Sequence, residues 1–526
     1  MAEALTPDLC IIGGGSAGLA LAAGAVQMGA SVVLCESGAM GGDCLNYGCI
    51  PSKSLIAAAA VAGAQRRSGR FGIAGIEPVV DYDAVQAHVR EVIETIAPHD
   101  SVERFTKLGV RVIEARAKFS GPREVVAGDQ RIRARRFVIA TGSHPILPKV
   151  PGLGEFAYLT NENVFDLRVR PDHLLVLGGG PIGCELAQAF RRLGSRVTLI
   201  EMDQILPRDD PELTDVVRRQ FVSEGIELLE NMAVVEAEPG PVLVLADGRR
   251  LEGTHVLVGA GRYVETKGLG LEAAGIECTD RGIKVDAGLR TTNPRVFAIG
   301  DAAGGLQFTH VAAYHAGIVL RRALFRLPAK ASNRAIPWVT YTDPELATVG
   351  LSEAAARSRG VRHEVVRWTM DANDRAQAER RTEGLVKAVI GKGGRVLGAT
   401  IVASGAGELI LPWAMAVEQL GVQPPGQFLQ LRLRARRLEG DVLHVVGPLE
   451  LVLLHPHRVG ELQRHGRELA RQHRGDAHAP AHLPAHLGEK VIGRDAGRQI
   501  EQVQRRDMHR RLRRLQVEED TIHPAQ

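Results

Sequence analysis

A glycine-rich pattern that occurs twice constrains the fold of this chain more than any other feature. In LCIIGGGSAGLALAAGAVQMGASVVLCE, an apolar strand (residues 9–12) leads to Gly13, Gly15 and Gly18, and an alanine-rich helix and a strand ending at Glu36 follow. The first glycine allows a tight turn, the second lets a pyrophosphate approach the backbone, and the third lets helix and strand pack closely. The helix N-terminus attracts phosphates, and Glu36 can bind a ribose hydroxyl. The segment therefore predicts a dinucleotide site.

The same pattern recurs in the middle of the chain. In HLLVLGGGPIGCELAQAFRRLGSRVTLIE, an apolar strand leads to Gly178, Gly180 and Gly183, and a helix and a strand ending at Glu201 follow. Two such segments predict two dinucleotides, and hydride transfer between a nicotinamide and a flavin is the simplest chemistry that joins them. Glu201 favours NADH over NADPH, because a carboxylate binds a free ribose hydroxyl and repels a 2′-phosphate. We interpret Arg208, which follows this strand, as an ordinary surface residue.

Length and composition indicate a multidomain globular protein. The chain has 526 residues, of which 45% are hydrophobic and 24% charged, and this length suggests roughly three or four domains. A net charge of +4 gives no reason to expect a nucleic-acid or membrane partner. Six cysteines are too few for a secreted disulfide scaffold, and the N-terminus runs into an apolar strand without a signal-peptide pattern. We expect a cytoplasmic protein.

The segment GGDCLNYGCIPSKSL places Cys44 and Cys49 close together. A zinc site would need further Cys or His ligands, and none lies nearby in the sequence, so no metal site is predicted. A disulfide in a regular helix would be too long to close, so the segment must be an irregular turn, which Gly48 permits. Pro51 suits a first helical turn, which places Cys49 near a helix N-terminus where a thiolate is favoured, and Lys53 adds positive charge. A reactive pair is favoured over two small buried hydrophobes.

A third segment, TTNPRVFAIGDAAG, predicts a strand that ends in a turn at Gly300 and Asp301. From these residues alone, the acid at the tip is either part of an Asx-type turn or a functional carboxylate. The two interpretations remain open at this level.

The cysteine segment closely resembles the redox-active segment of the flavin-dependent pyridine nucleotide-disulfide oxidoreductases, the family of dihydrolipoamide dehydrogenase, glutathione reductase and mercuric reductase. The resemblance spans residues 8 to about 420. It includes both glycine patterns and the segments ATGSHP, VGAGR, TTNPRVFAIGDAAG, FTHVAAYHAG, YTDPELATVGLSE and NDRAQAERRTEGLVK. It implies an α/β fold with two Rossmann-like dinucleotide-binding domains, for FAD and NAD(P), and an α+β interface domain that is incomplete here.

The resemblance also implies roles for individual residues. Cys49 matches the thiol next to the flavin and Cys44 the thiol that meets the substrate, while Lys53 matches the lysine beside the flavin and Glu185 the acid paired with it. FAD then belongs to the first glycine pattern and to Asp301, and the nicotinamide nucleotide, with NADH favoured, to the second. The cofactor-binding residues expected from the matched motifs are Gly13, Gly15, Gly18, Glu36, Gly42, Thr141, Gly142, Gly178, Gly180, Gly183, Glu201, Gly261 and Asp301.

The motif positions predict how the chain divides. The predicted segments are residues 1–150 and 276–330, the two parts of an FAD-binding domain; 151–275, an NAD(P)-binding domain; 331–421, a partial interface domain; and 422–526, an atypical tail. The tail is rich in Arg and His and has no Phe, Tyr or Trp after residue 428. We interpret it as an out-of-frame translation or a disordered segment.

The family forms homodimers, and the altered C-terminus puts that dimer in question. Relatives carry an H-P-T-x-x-E motif whose His and Glu serve the cysteines of the partner subunit. The nearest match here, LLHPHRVGE, contains His455 but comes later than expected and has altered spacing, so we interpret it as a solvated histidine.

The resemblance implies electron flow from NADH through FAD and a Cys44–Cys49 disulfide to a small dithiol or disulfide substrate, as in dihydrolipoamide dehydrogenase. Mercuric(II) reductase, with a soft metal electrophile as substrate, is the alternative, although no cysteine follows Cys278 to form the extra pair such enzymes carry. Glutathione reductase is disfavoured by Glu201. A flavin-binding NADH diaphorase or sensor without disulfide turnover is the further alternative.

Overall fold

A computed structural model of the protein describes residues 3–419. All of these lie in the first of two units of the chain, residues 1–442, and the second unit is residues 443–526. The predicted tail and His455 lie outside the described residues. Within residues 3–419, no helix has both the length and the apolar character needed to cross a membrane.

Within the described residues, α-helices are interspersed among long runs of consecutive strands. The strands are β1 (Leu9–Ile12), β2 (Val32–Glu36), β3 (Val110–Glu114), β4 (Ala117–Gly121), β5 (Glu124–Ala127), β6 (Gln130–Ile132), β7 (Arg136–Ile139), β8 (Ser143–Pro145), β9 (His173–Leu177), β10 (Arg196–Ile200), β11 (Glu227–Leu229), β12 (Val234–Glu238), β13 (Val242–Leu245), β14 (Arg250–Glu252), β15 (His255–Val258), β16 (Arg262–Val264), β17 (Cys278–Thr279), β18 (Gly282–Ile283), β19 (Val296–Ala298), β20 (Pro337–Thr340), β21 (Glu345–Gly350), β22 (His363–Thr369), β23 (Leu385–Gly391) and β24 (Val396–Ala403). The α-helices are α1 (Ser16–Gln27), α2 (Gly42–Asn46), α3 (Cys49–Arg67), α4 (Tyr82–Ile96), α5 (Val102–Lys107), α6 (Pro181–Arg192), α7 (Pro211–Ser223), α8 (Thr309–Leu324), α9 (Glu353–Ser358), α10 (Asp374–Ala378), α11 (Ala406–Leu409) and α12 (Leu411–Glu418).

The first sheet is parallel and has the strand order β19-β7-β1-β2-β3. Both faces of β1 are covered, since Leu9 and Ile11 pack in a core with α1 and α8, and Cys10 and Ile12 pack in a core with β4 and β5. Burial on both faces explains why the strand is apolar at every position. The strand, glycine turn, helix and strand predicted from the first glycine pattern are confirmed.

The second sheet is also parallel, with the order β11-β10-β9-β15, and α6 packs on it. It repeats the topology of the first sheet at β9, α6 and β10, as the second glycine pattern predicts. The strand ends at Ile200, so Glu201 is the first residue after the strand rather than its last.

A third sheet is antiparallel, with the order β20-β21-β24-β23-β22, and α11 and α12 pack on one face. The predicted fold class, two Rossmann-like α/β layers joined to an α+β layer, is confirmed for residues 3–419. The predicted domain boundaries stay predictions, and the predicted incompleteness of the third layer concerns residues beyond those described.

Helix α3 lies between the first two layers. Its buried residues Leu55 and Ala59 share a core with Leu186 and Phe190 of α6. The small residues of the run AAAAVAGA allow α3 to lie close to its neighbours, since little side-chain volume separates the backbones. The start of α3 and the first turns of α6 are therefore brought together.

A buried ion cluster joins the second layer to the third. The Nζ atom of Lys387 lies 2.8 Å from Asp210, 2.9 Å from Glu212 and 2.8 Å from Glu353, and the lysine side chain is 6% exposed. Burial opposes the charge on Lys387, but the hydrogen bonds to the three carboxylates outweigh it and raise its pKa to about 12. The contribution of Lys387 to stability is therefore present below its unfolded pKa and lost as the pH rises through about 12.

We predict that Lys387→Ala destabilises the protein by about 3–5 kcal/mol, because it leaves the carboxylate of Asp210, whose side chain is 4% exposed, without its cation. Denaturant unfolding at neutral pH measures the change. Lys107→Ala is the matched control, since Lys107 pairs with Glu103 on the surface with 75% of its side chain exposed, and it should cost less than about 1 kcal/mol. Equal losses in the two variants would contradict the assignment of a buried cluster.

Candidate active site

The cysteine segment folds as two short helical pieces joined by a turn. Helix α2 contains Cys44, and Cys49 is the first residue of α3. Glycine at position 48 avoids crowding in the turn, because a Cβ atom there would lie 2.9 Å from Oδ2 and 3.0 Å from the backbone oxygen of Asp43. The side chain of Asn46 donates to the carbonyl of Gly42, at 2.9 Å, which closes the other side of the turn. The segment is thus the irregular turn that the sequence predicts.

The two thiols are electrostatically unequal. The Cys44 thiol donates a hydrogen bond to the Cys49 sulfur, and this bond, helped by the Thr309 hydroxyl and the positive charge of Lys53, lowers the pKa of Cys49 to about 6. The same hydrogen bond, together with burial, raises the pKa of Cys44 well above its ordinary value. At neutral pH the pair therefore holds one proton and one negative charge, which is largely on Cys49.

Helix α8 contributes directly to the environment of Cys49. The hydroxyl of Thr309, its first residue, lies 3.4 Å from the Cys49 sulfur. No side chain caps the N-terminus of α8, which leaves the positive end of the helix dipole facing this region. Both features stabilise a thiolate.

Lys53 and Glu185 form an ion pair across the junction of α3 and α6. Nζ of Lys53 lies 2.8 Å from Oε2 of Glu185, and the Glu185 side chain is 7% exposed. Burial disfavours the charged lysine, but the carboxylate of Glu185 outweighs burial, so the pKa of Lys53 is raised. The ammonium also lies 4.6 Å from the ring centroid of Tyr341, whose backbone N–H donates to Oε1 of Glu185. The charge of Lys53 is therefore fixed in place beside the thiol pair.

A cavity of about 180 Å³ lies behind this ion pair. Its wall includes Lys53, Glu185, Gln188, Tyr341 and Arg381. Both members of the ion pair therefore border this cavity.

The first glycine turn leaves room for an extended ligand. Gly15 and Gly42 face each other so closely that a Cβ atom on Gly42 would lie 2.7 Å from the Cα atom of Gly15. Helix α1 begins with no side-chain cap and no acidic residue in its first turn, whereas Asp81 caps α4. The carboxylate of Glu36 accepts hydrogen bonds from the amides of Gly14 and Gly38 and so lies at the glycine turn. An uncapped helix and an acid at the turn fit the phosphates and ribose of a dinucleotide.

The second glycine turn has the same geometry. Helix α6 also begins without a side-chain cap or an acidic residue in its first turn. A Cβ atom on Gly183 would lie 1.9 Å from the carbonyl oxygen of Gly178, so helix and strand approach as closely as in the first turn. Glu201 accepts from the amide of Gly179 at 2.6 Å and from that of Asp203 at 3.1 Å. A second dinucleotide fits here for the same reasons.

The remaining sequence-predicted residues lie around Asp301. Its carboxylate accepts from the Ser143 hydroxyl at 2.6 Å, and burial raises the pKa of Asp301. Thr141 donates to the carbonyl of Glu265 at 3.0 Å, and the neighbouring Gly142 has a φ of +73°. These residues and Gly261, which precedes β16, lie where β8 pairs with β16. The described residues contain no group of three or more His, Cys, Asp or Glu side chains able to hold a metal ion.

Several contacts involve residues to which the sequence assigned no role. Thr309, Tyr341 and Arg262 all lie inside motifs that carried the resemblance, FTHVAAYHAG, YTDPELATVGLSE and VGAGR. The motifs indicated that these segments matter, but only the packing of distant segments shows which side chain reaches the thiols or their ion pair.

Comparison with known proteins identifies two matching models of one family. The model described as pyridine nucleotide-disulphide oxidoreductase matches residues 7–316. The model of the dimerisation domain of the same family matches residues 336–423.

Curated relatives carry two different names. The chain is 36% identical over 424 residues to a mercuric reductase of Streptomyces lividans, covering 78% of this chain and 90% of the relative. It is 33% identical over 417 residues to a dihydrolipoyl dehydrogenase of Bacillus subtilis, covering 76% of this chain and 90% of the relative.

Two solved structures illustrate the similarity in fold. LpdA from Mycobacterium tuberculosis matches with a TM-score of 0.73 and 27% identity, covering 88% of this chain and 99% of the other. The Cu(II) complex of the HOCl-induced flavoprotein disulfide reductase RclA from Escherichia coli matches with a TM-score of 0.71 and 26% identity, covering 87% of this chain and 98% of the other.

We predict that Lys53→Met raises the pKa of Cys49 by about one unit or more from its value of about 6. The substitution removes a nearby positive charge and leaves the Glu185 carboxylate without its ion-pair partner. The pH dependence of Cys49 alkylation by iodoacetamide in the reduced protein, followed by peptide mass spectrometry, measures this pKa. Adding Glu185→Gln should reverse part of the shift, and Lys107→Met is the control that should cause none. An unchanged profile in Lys53→Met would show that Lys53 does not act on the thiol.

Proposed function

The chain belongs to the pyridine nucleotide-disulphide oxidoreductases, and on that premise we propose that Cys44 and Cys49 exchange electrons with a small dithiol or disulfide substrate. One observation carries the proposal: Cys49 begins α3 beside Cys44, with the Thr309 hydroxyl 3.4 Å from its sulfur, and the Cys44 thiol, this hydroxyl and the charge of Lys53 lower the pKa of Cys49 to about 6. A structural pair of buried thiols would have no reason to hold a charge, whereas thiol–disulfide exchange needs a thiolate.

The family is FAD-dependent and uses NAD(P)H. These groups supply hydride and electron transfer when bound. We propose that the uncapped start of α1, the side-chain-free backbone at Gly15 and Gly42, and Asp301 hold FAD. The uncapped start of α6 and Glu201 would hold the nicotinamide nucleotide. The position of the Glu201 carboxylate at the glycine turn supports NADH over NADPH, because a 2′-phosphate there would meet a negative charge.

The protein's own residues provide the thiol chemistry. As the sulfur of Cys44 attacks one sulfur of a substrate disulfide, its proton passes to Cys49, the substrate S–S bond breaks, and a mixed disulfide and the first substrate thiolate form. That thiolate takes the proton from Cys49 and leaves as a thiol. The Cys49 thiolate then attacks Cys44, which closes the Cys44–Cys49 disulfide and releases the second thiolate. The proton that the pair shares can leave with a product, and the positive charge of Lys53 stabilises the thiolate at each stage. A dithiol substrate would run the same steps in reverse.

Mercuric(II) reduction is the second candidate. It is supported by the relatives named mercuric reductase, such as the Streptomyces lividans protein. A pair of adjacent thiolates is a good ligand set for a soft cation, so Cys44 and Cys49 can bind Hg(II) before its reduction.

We also propose that the protein acts as a homodimer in the cytoplasm. The match of residues 336–423 to the dimerisation domain supports the first part. The second part rests on the sparse cysteines, six in 526 residues, which do not fit a secreted disulfide scaffold.

We predict that Cys44→Ser abolishes NADH-dependent reduction of small disulfides, because no second thiol remains to receive the substrate. Electron transfer to ferricyanide should continue, since it bypasses the thiols. Steady-state assays with dithionitrobenzoate, lipoamide and Hg(II) as acceptors make the comparison and identify the substrate class. Cys278→Ser, at an exposed cysteine in β17, is the matched control and should keep full activity. Disulfide reduction that survives Cys44→Ser would overturn the proposal in favour of a diaphorase.

A further inference from the structure

We propose that Asp43 and Arg262 form a positioning pair that holds the redox turn and balances the charge beside the Cys44–Cys49 dithiol. The inference deepens the proposed function, since it concerns the same two thiols. It assigns a role to an acid that directly precedes Cys44 and to an arginine from a distant strand.

Asp43 is held on one oxygen and faces the thiol turn with the other. Its Oδ1 atom lies 3.1 Å from Nη2 of Arg262 and 3.0 Å from Nδ2 of Asn161. Its Oδ2 atom lies against Gly48, the residue before Cys49, where an added Cβ atom would come within 2.9 Å. The carboxylate is thus placed between the arginine and the start of α3.

Arg262 is largely buried and is held by hydrogen bonds. Its side chain is 13% exposed, and its Nε and Nη2 atoms donate to the hydroxyl and the carbonyl of Ser143, at 2.8 Å and 2.7 Å. The Ser143 hydroxyl in turn donates to Asp301 at 2.6 Å. The fork of donors on a guanidinium can bind Ser143 and Asp43 together, whereas the single ammonium of a lysine cannot keep the same geometry. Arg262 therefore links the thiol turn to the turn that carries Asp301.

Asn161 fixes the turn at a second point. The amide that donates to Asp43 also donates to the carbonyl of Tyr47, at 3.3 Å. Asn161 is buried, with 5% of its surface exposed. Residues from other segments therefore hold the turn between the two cysteines by hydrogen bonds. These bonds restrict the movement of the turn's backbone when the disulfide between the thiols forms or breaks.

The pair also balances charge next to the thiols. The titratable groups that face Cys49 are Cys44 and Asp43 from the turn, Lys53 from α3 with its partner Glu185, and Tyr341 from the third layer. Asp43 faces Arg262, Cys49 and Asp301. The negative charge of Asp43 opposes the thiolate and by itself raises the pKa of Cys49. Arg262 compensates that charge at a distance of 3.1 Å from it.

A double-mutant cycle on the holoenzyme tests the proposal. Arg262→Gln leaves Asp43 uncompensated and should raise the pKa of Cys49 by about half a unit to one unit, whereas Asp43→Asn leaves Arg262 uncompensated and should lower it by a similar amount. The double variant removes both charges and should return the pKa close to the wild-type value. Arg262→Lys keeps the charge and should shift the pKa less than Arg262→Gln.

Two readouts follow the thiolate. One is the pH dependence of the long-wavelength thiolate-to-flavin absorbance of the reduced enzyme, and the other is the pH dependence of Cys49 alkylation. Flavin content and circular dichroism check that each variant is folded. A misfolded Arg262→Gln variant would leave the decision to Asp43→Asn, in which the pKa of Cys49 should fall, and to Arg262→Lys.

The outcomes separate this proposal from the proposed function. Opposite shifts in the single variants that cancel in the double variant support the pair. Folded variants whose Cys49 pKa equals that of the wild type would overturn the proposal. Shifts of the same sign in both single variants would also overturn it, because they would show that Asp43 and Arg262 make only a structural contact. A wild-type enzyme without the long-wavelength band would instead contradict the proposed function, and the alkylation profiles would still decide whether the pair acts on the thiol.

Discussion

The ion pair between Lys53 and Glu185 is the contact on which the candidate site depends. It joins α3, which begins with Cys49, to α6, which begins at the second glycine turn, with a distance of 2.8 Å between the charged atoms. Because Glu185 is nearly inaccessible to water, its charge is tolerable only with a partner at hydrogen-bond distance. The packing that buries the pair therefore also fixes the distance between the thiols and the second glycine turn.

Around this contact, the charges near the thiols are arranged in opposed pairs. Lys53 is paired with Glu185, and Asp43 with Arg262, so that neither sign dominates the turn. The hydrogen bond from Cys44 remains the largest cause of the lowered pKa of Cys49, about 6, so this thiol is largely a thiolate at neutral pH.

Much of this organisation could be predicted from the sequence, because it is local. The strand before Gly13, the helix after it and the acid at the end of the next strand are set by residues within one βαβ unit, and so is the position of Cys49 at a helix N-terminus. The contacts that tune the thiols could not be predicted. Thr309 reaches Cys49 across 260 residues of sequence, and Arg262 reaches Asp43 through the pairing of β8 with β16. Such contacts follow from tertiary packing and leave no periodic signal.

Whether Cys44 and Cys49 receive electrons from the nicotinamide is tested most directly by an anaerobic titration of the purified flavoprotein. The protein is titrated with NADH and then with NADPH, and the absorbance is followed. If Cys44 and Cys49 receive the electrons, a long-wavelength band from the Cys49 thiolate grows in before the flavin absorbance is lost, and NADH produces it at lower concentration than NADPH. If the flavin absorbance is lost directly and no such band forms, the thiol pair does not take part in electron transfer, and the account given for it is wrong.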